Sequence, residues 1–151
     1  MNQSTGEKHT ILLVDDSQND RFLLRAAFGK VKSDCQLREV HNGEEAVAYL
    51  KGDAIYSDRT KYPLPILMLL DLNMPMKDGF GVLTWVRAQE LIKRLSIVVM
   101  TASTRTEDMD RAFDLGANAF IIKPARFDEL IATIRSLDDW LHHSRFPSLT
   151  Q

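Results

Sequence analysis

A chain of 151 residues has the length of one ordinary domain and leaves little room for a second hydrophobic core. Its 44% hydrophobic and 26% charged residues are the balance of a folded globular protein, which excludes a disordered or fibrous chain. A formal net charge of −2 lacks the basic excess that a nucleic-acid partner would require, so none is expected.

In chain order, residues 1–8 read as an N-terminal tail, and Met1 to Thr10 is polar, with no apolar leader core. The domain is expected over 9–141. Its first apolar run, Ile11 to Val14, reads as a buried strand and ends in Asp15-Asp16. Phe22, Leu23, Ala26 and Ala27 then carry helical spacing, and Cys35 precedes a weaker strand, Gln36 to Val40. As the only cysteine, Cys35 excludes an internal disulfide or a cysteine metal cluster and reads as a small packed residue. A second helix is marked by Ala46, Val47 and Leu50, after which Gly52 to Leu64 is too long and too polar for a tight turn and reads as a surface insertion.

The strand Ile66 to Leu70 ends at Asp71, and a helix follows with Val82, Leu83 and Val86 on one face. Ile97 to Met100 ends at Thr101; Met109, Ala112 and Phe113 mark the next helix, with Thr104 or Thr106 as its cap and Gly116 closing it in a left-handed conformation. The last strand, Phe120 to Ile122, runs into Lys123, and the last helix carries Phe127, Leu130, Ile131, Ile134 and Leu137, extended by Trp140 and Leu141. His142 and His143 are adjacent and so face different ways, which makes them a poor metal pair; residues 142–151 are expected to be a solvated tail. No apolar run approaches the length of a membrane span, so no membrane contact and a cytoplasmic location are expected.

Runs without polar alternation imply strands covered on both faces, and the spacing between them admits helical crossovers. The predicted fold is therefore α/β: a doubly wound, five-stranded parallel sheet of flavodoxin-like order 2-1-3-4-5, with helices on both faces. Asp15, Asp16, Asp71, Thr101 and Lys123 then all stand at the carboxyl ends of strands, where such sheets bind ligands. Strands one and three are neighbours about 4.8 Å apart, so the three carboxylates would repel unless a cation sat among them. An oxygen-only donor set open to water suits Mg²⁺, with Mn²⁺ as the alternative. A carboxylate can attack phosphorus without a general base, and what the transfer needs is positive charge and donors at the phosphoryl oxygens, here Lys123 and the Thr101 hydroxyl beside the metal.

Four segments, Leu13-Val14-Asp15-Asp16, Leu70-Asp71-Leu72-Asn73-Met74-Pro75-Met76-Lys77-Asp78-Gly79, Met100-Thr101-Ala102 and Lys123-Pro124, resemble the ordered signatures of response-regulator receiver domains of two-component signalling. The resemblance spans roughly residues 9 to 138. It implies a phosphoacceptor, Asp71, fed by a sensor histidine kinase; Mg²⁺ on Asp15, Asp16 and Asp71 with the backbone carbonyl of Asn73; and Thr101 and Lys123 on the phosphoryl group. It also implies a cis peptide before Pro124, a switch pairing Thr101 with Phe120, and an output face formed by the fourth helix, fifth strand and fifth helix. Ala125 departs from the bulkier residue common after Lys-Pro, and Phe120 stands where tyrosine is more usual. The insertion and the Trp140-Leu141 extension resemble the small response regulators that partner bacterial phytochrome kinases, several of which form homodimers; Trp140 and Leu141 are the expected dimer contact.

Three alternatives differ in what they require. A pseudo-receiver would act as a phosphorylation-independent interaction module, which the intact acidic and lysine positions disfavour. An aspartyl-phosphate phosphatase normally carries a second acid two residues after its nucleophile, where this chain has Asn73, so an enzyme acting on an external substrate is not expected. A transcription regulator would need a helix-turn-helix module, and none follows Leu141.

Overall fold

The computed structural model describes residues 8–149. Five parallel strands, β1 (Thr10–Val14), β2 (Gln36–Val40), β3 (Leu67–Leu70), β4 (Ser96–Thr101) and β5 (Ala119–Ile122), form one sheet in the order β2-β1-β3-β4-β5. The helices are α1 (Gln18–Val31), α2 (Gly43–Lys51), α3 (Gly79–Arg87), α4 (Thr106–Asp114) and α5 (Phe127–His143). Every residue of β1 and β3 is buried, as unbroken apolar runs require, while the edge strands β2 and β5 are only partly covered. Ile122, expected inside a covered strand, is half exposed because β5 has a neighbour on one side alone.

Successive side chains alternate between two cores. Leu12, Val14, Met68, Leu70, Ile97 and Val99 face α2, α3 and Ala112 of α4. Ile11, Leu13, Leu67, Leu69, Val98 and Met100 face α1 and α5. α1 is rotated relative to the expected stripe: Leu24, Ala27 and Phe28 are buried, whereas Phe22 is 57% exposed. Its apolar residues cover more than half the circumference, so spacing alone admits either phase. α4 buries Ala112 only; Met109 and Phe113 are 37% and 46% exposed. Neither threonine caps it, since Arg105 holds the cap position and the turn is tied instead by Ser103 Oγ, which accepts from the Arg105 N–H at 3.2 Å and donates to Asp108 at 2.6 Å. Gly116 does take the left-handed conformation, at φ 108°.

The insertion lies at the surface as expected, with Ile55 68% exposed, yet part of it packs inward. It contains a 3₁₀ turn, Ala54–Ser57, and places Tyr56, Tyr62 and Leu64 against the first core. At the C-terminal end, His142, His143, Arg145, Pro147 and Ser148 are exposed as expected of a tail, but Leu149 is buried in that same core, although α5 belongs to the opposite face. None of the helices among the described residues is long and apolar enough to cross a membrane.

Candidate functional site

Val14 pairs with Leu70 in the β1–β3 ladder, so Asp15 and Asp71 each stand one residue beyond a matched pair at the carboxyl edge. The Asp71 N–H donates to the Val14 carbonyl at 3.0 Å, which extends the ladder to the nucleophile candidate itself. Gly79, the first residue of α3, lies flat against this turn: a Cβ there would collide with the Asp71 carbonyl oxygen and come within 2.7 Å of Leu72 Cα. Asp15 and Asp71 are buried, Asp16 is exposed, and one oxygen from each lies within 4.8 Å of the others. Ligand oxygens at about 2.1 Å from an octahedral ion are at most ~4.2 Å apart, so a contraction of about half an ångström would seat a hard divalent cation. The exposed side at Asp16 leaves room for retained waters, and the donor set fits the group.

α1 is built around Asp15. Ser17 caps the helix by accepting from the Asp20 N–H at 3.1 Å, and its own N–H donates to Asp15 Oδ1 at 2.9 Å. Arg21, 8% exposed, donates from Nη1 to the Asp15 carbonyl at 2.7 Å and pairs through Nε with Glu39 at 3.3 Å. Asp15 Oδ2 meets Lys123 Nζ at 2.8 Å. Burial pushes the Asp15 carboxyl above its ordinary value, against the downward pull of Lys123 and the Ser17 N–H, while the Asp71 charge adds to the upward shift.

Lys123 leaves the end of β5, and its N–H donates to the Thr101 carbonyl at 2.7 Å, which locks the two strand ends together. Its Nζ lies 2.6 Å from Asp20, 2.8 Å from Asp15 and 3.6 Å from Asp71. Burial alone would favour the neutral amine, but hydrogen bonds to Asp15 and Asp20, with the added charges of Asp15 and Asp71, hold the ammonium protonated well above the ordinary lysine range. Thr101 is wholly buried, and its Oγ1 accepts from the Ser103 N–H at 3.4 Å. Phe120 is partly buried against the core beneath Thr101's strand, opposite Val99. Asn73 is exposed two residues past Asp71.

The expected cis peptide at Lys123-Pro124 is not formed: the described residues contain no cis bond, and trans is the ordinary preference for an X–Pro bond. At the other end of α5, Leu141 is 7% exposed within the chain's own core, while Trp140 is 44% exposed and edge-on to Phe146 at 5.6 Å. Leu141 is therefore spoken for inside the monomer, and Trp140 carries the exposed apolar surface. Asp20 and Arg21 escaped the sequence reading. With α1 phased on Leu24 and Phe28, Arg21 falls on the inward face, and an inward arginine demands an acidic or carbonyl partner.

Residues 11–135 match the family described as response regulator receiver domain. The response regulator Rcp1 of Synechocystis sp. is 30% identical over 149 residues, 98% of this chain and 99% of that protein. Among solved structures, the phosphorylated cyanobacterial phytochrome response regulator RcpA superposes with a TM-score of 0.86 at 31% identity, over 94% of this chain and all of that one. The response regulator RPA3017 in red light signalling of R. palustris gives 0.88 at 30% identity, over 93% and 99%. The Mn²⁺-bound form of Rcp1 gives 0.83 at 30% identity, over 93% and 99%, and shows a divalent ion in a relative. A doubly wound sheet of this order, with its acids clustered at the carboxyl edge and likenesses covering nearly the whole length of each relative, places the chain in the response regulator receiver domain family.

Proposed function

We propose that the chain is a phospho-switch in which Asp71 accepts a phosphoryl group from a sensor histidine kinase. The observation that carries this is the pairing of a buried Asp71 carboxylate with the Lys123 ammonium at 3.6 Å, inside a cluster of three convergent acids. An Asp71 oxygen attacks phosphorus, the bond from phosphorus to the donor's imidazole nitrogen breaks, and the electron pair leaves with that nitrogen, so an acyl phosphate forms without a general base. Asp15, Asp16, Asp71 and the Asn73 carbonyl would hold Mg²⁺, with Mn²⁺ as a substitute, and the cation supplies charge neutralisation at the phosphoryl oxygens. Lys123 contributes the second positive charge and Thr101 a hydroxyl donor.

An aspartyl phosphate adds about two negative charges and new acceptors. Thr101 is the nearest buried hydroxyl, and the Lys123 N–H to Thr101 carbonyl bond ties its movement to β5. Phe120 would follow by repacking, since phenylalanine has no hydroxyl to place at the surface, and α4, β5 and α5 would carry the output. The likeness to RcpA and RPA3017 favours a bacterial phytochrome kinase as the donor. A homodimer would use the exposed Trp140 rather than Leu141. Asn73, neutral at the second position after Asp71, supports a phosphoacceptor rather than a turnover enzyme.

Incubation with a small phosphodonor and Mg²⁺ is expected to give one acyl phosphate, absent from Asp71→Asn. Equal labelling of the variant and the parent would overturn the assignment. Phosphotransfer from a panel of histidine kinases, phytochrome kinases among them, tests the donor.

A further inference from the structure

The phosphoacceptor reading leaves the strongest contact of Lys123 unused. Its Nζ lies 2.6 Å from Asp20 Oδ2, closer than to Asp15 at 2.8 Å and far closer than to Asp71 at 3.6 Å. Asp20 is held in place for this: it sits in the first turn of α1, its N–H is fixed by Ser17 Oγ at 3.1 Å, and the next residue, Arg21, anchors α1 to the Asp15 carbonyl. The contact joins the start of α1 to the end of β5, 103 residues apart in sequence.

Resting on the reading above, we propose that Asp20 is a positioning residue that draws Lys123 away from Asp71, leaving the acidic cluster to the cation and making the incoming phosphoryl group compete for the ammonium. An ammonium shared with Asp20 neutralises Asp15 and Asp71 less completely, so the cluster keeps more of its attraction for a divalent ion. The same sharing opposes an anionic phosphoryl group twice, through the negative charge of Asp20 and through its grip on Lys123.

Asp20→Asn should therefore move the two ligands in opposite directions, which loss of folding would not do. Even at the dielectric of water, removal of one charge about 4 Å away corresponds to a change of about fivefold, and partial burial enlarges it, so the changes expected for Asp20→Asn are lower bounds. Calorimetric titration with Mn²⁺ is expected to show a weaker Kd in Asp20→Asn by about fivefold. Beryllofluoride, a phosphoryl mimic, followed by ¹⁹F NMR at saturating Mg²⁺, is expected to bind about threefold more tightly, and Asp20→Glu should stay close to the parent in both. Unchanged affinities, or a loss of both, would overturn the role of Asp20 while parental binding of beryllofluoride left the phosphoacceptor reading standing. Failure of the parent itself to bind beryllofluoride would remove both.

Discussion

The two ends of the sheet solve opposite problems. At the carboxyl edge, three acids crowd within 4.8 Å and one lysine is divided among three carboxylates, so charge is concentrated where water and ligands can reach it. At the amino edge, Tyr49, Tyr56 and Tyr62 pack ring against ring at 5.1–5.9 Å. Tyr49 OH donates to the Pro63 carbonyl at 2.7 Å. Arg59 reaches from the insertion to the end of α2, donating at 2.7 Å to the Tyr49 carbonyl, which also accepts from the Gly52 N–H, and at 2.8 Å to the Leu50 carbonyl, which a helix end otherwise leaves unpaired. Burial disfavours the ionised Asp15 carboxyl, so that group costs stability at neutral pH, while the same carboxylates stabilise the Lys123 ammonium. Packing at the other end, together with the two cores, has to offset that cost.

The largest expected effect separates the two ends outright. Asp71→Asn should lose acyl-phosphate labelling and the Mg²⁺-dependent rise in Tm, yet keep or raise the metal-free Tm, because one of three repelling charges is gone. A metal-free Tm well below the parent's would show that the acids stabilise the fold instead. Tyr49→Ala makes the reverse test. It removes a side chain 1% exposed at the hub of the aromatic cluster and should cost about 3–5 kcal/mol in urea unfolding. Labelling of the folded fraction should persist, and its loss would mean that the two ends are coupled. Arg59→Ala is milder: loss of its charge-assisted hydrogen bonds to the Tyr49 and Leu50 carbonyls should cost about 1–3 kcal/mol, measured the same way.

Legibility in the sequence follows the same division. The inner strands could be read because burial on both faces leaves an unbroken apolar run, and the strand-end acids because a parallel sheet sends every carboxyl end to one edge. Asp20 could not be read that way, since an acid in a helix's first turn has an ordinary dipole explanation that hides a partner 103 residues away. The insertion was legible as an interruption and opaque as structure. Its polar composition, with Asp53, Ser57, Asp58, Arg59 and Lys61, outweighs two tyrosines, Tyr56 and Tyr62, that matter only once Tyr49 faces them. Leu149 was hidden for a similar reason: one leucine between polar residues has no period, and only the path of the chain after α5 returns it to a core.

The smallest expected effect lies at the amino end, where α5 finishes. His142 Nδ1 lies 2.9 Å from the Asp138 carbonyl, its Nε2 is 3.4 Å from Asp34, and the Asp138 carboxylate is 3.6 Å away. Above all the Asp138 carbonyl, and then Asp34, favour the imidazolium and raise its pKa above the ordinary 6.5. A folded pKa above the unfolded one means that the contribution is complete below pH 6.5 and lost as pH rises through the folded value. Tm should therefore decline slightly from mildly acidic to mildly alkaline conditions, and His142→Gln should flatten that part of the profile. The effect is small because the imidazole is exposed and screened by solvent. Asp34→Asn should reduce the slope less than His142→Gln, since the Asp138 carbonyl remains; an equal reduction would identify Asp34, not the end of α5, as the controlling partner.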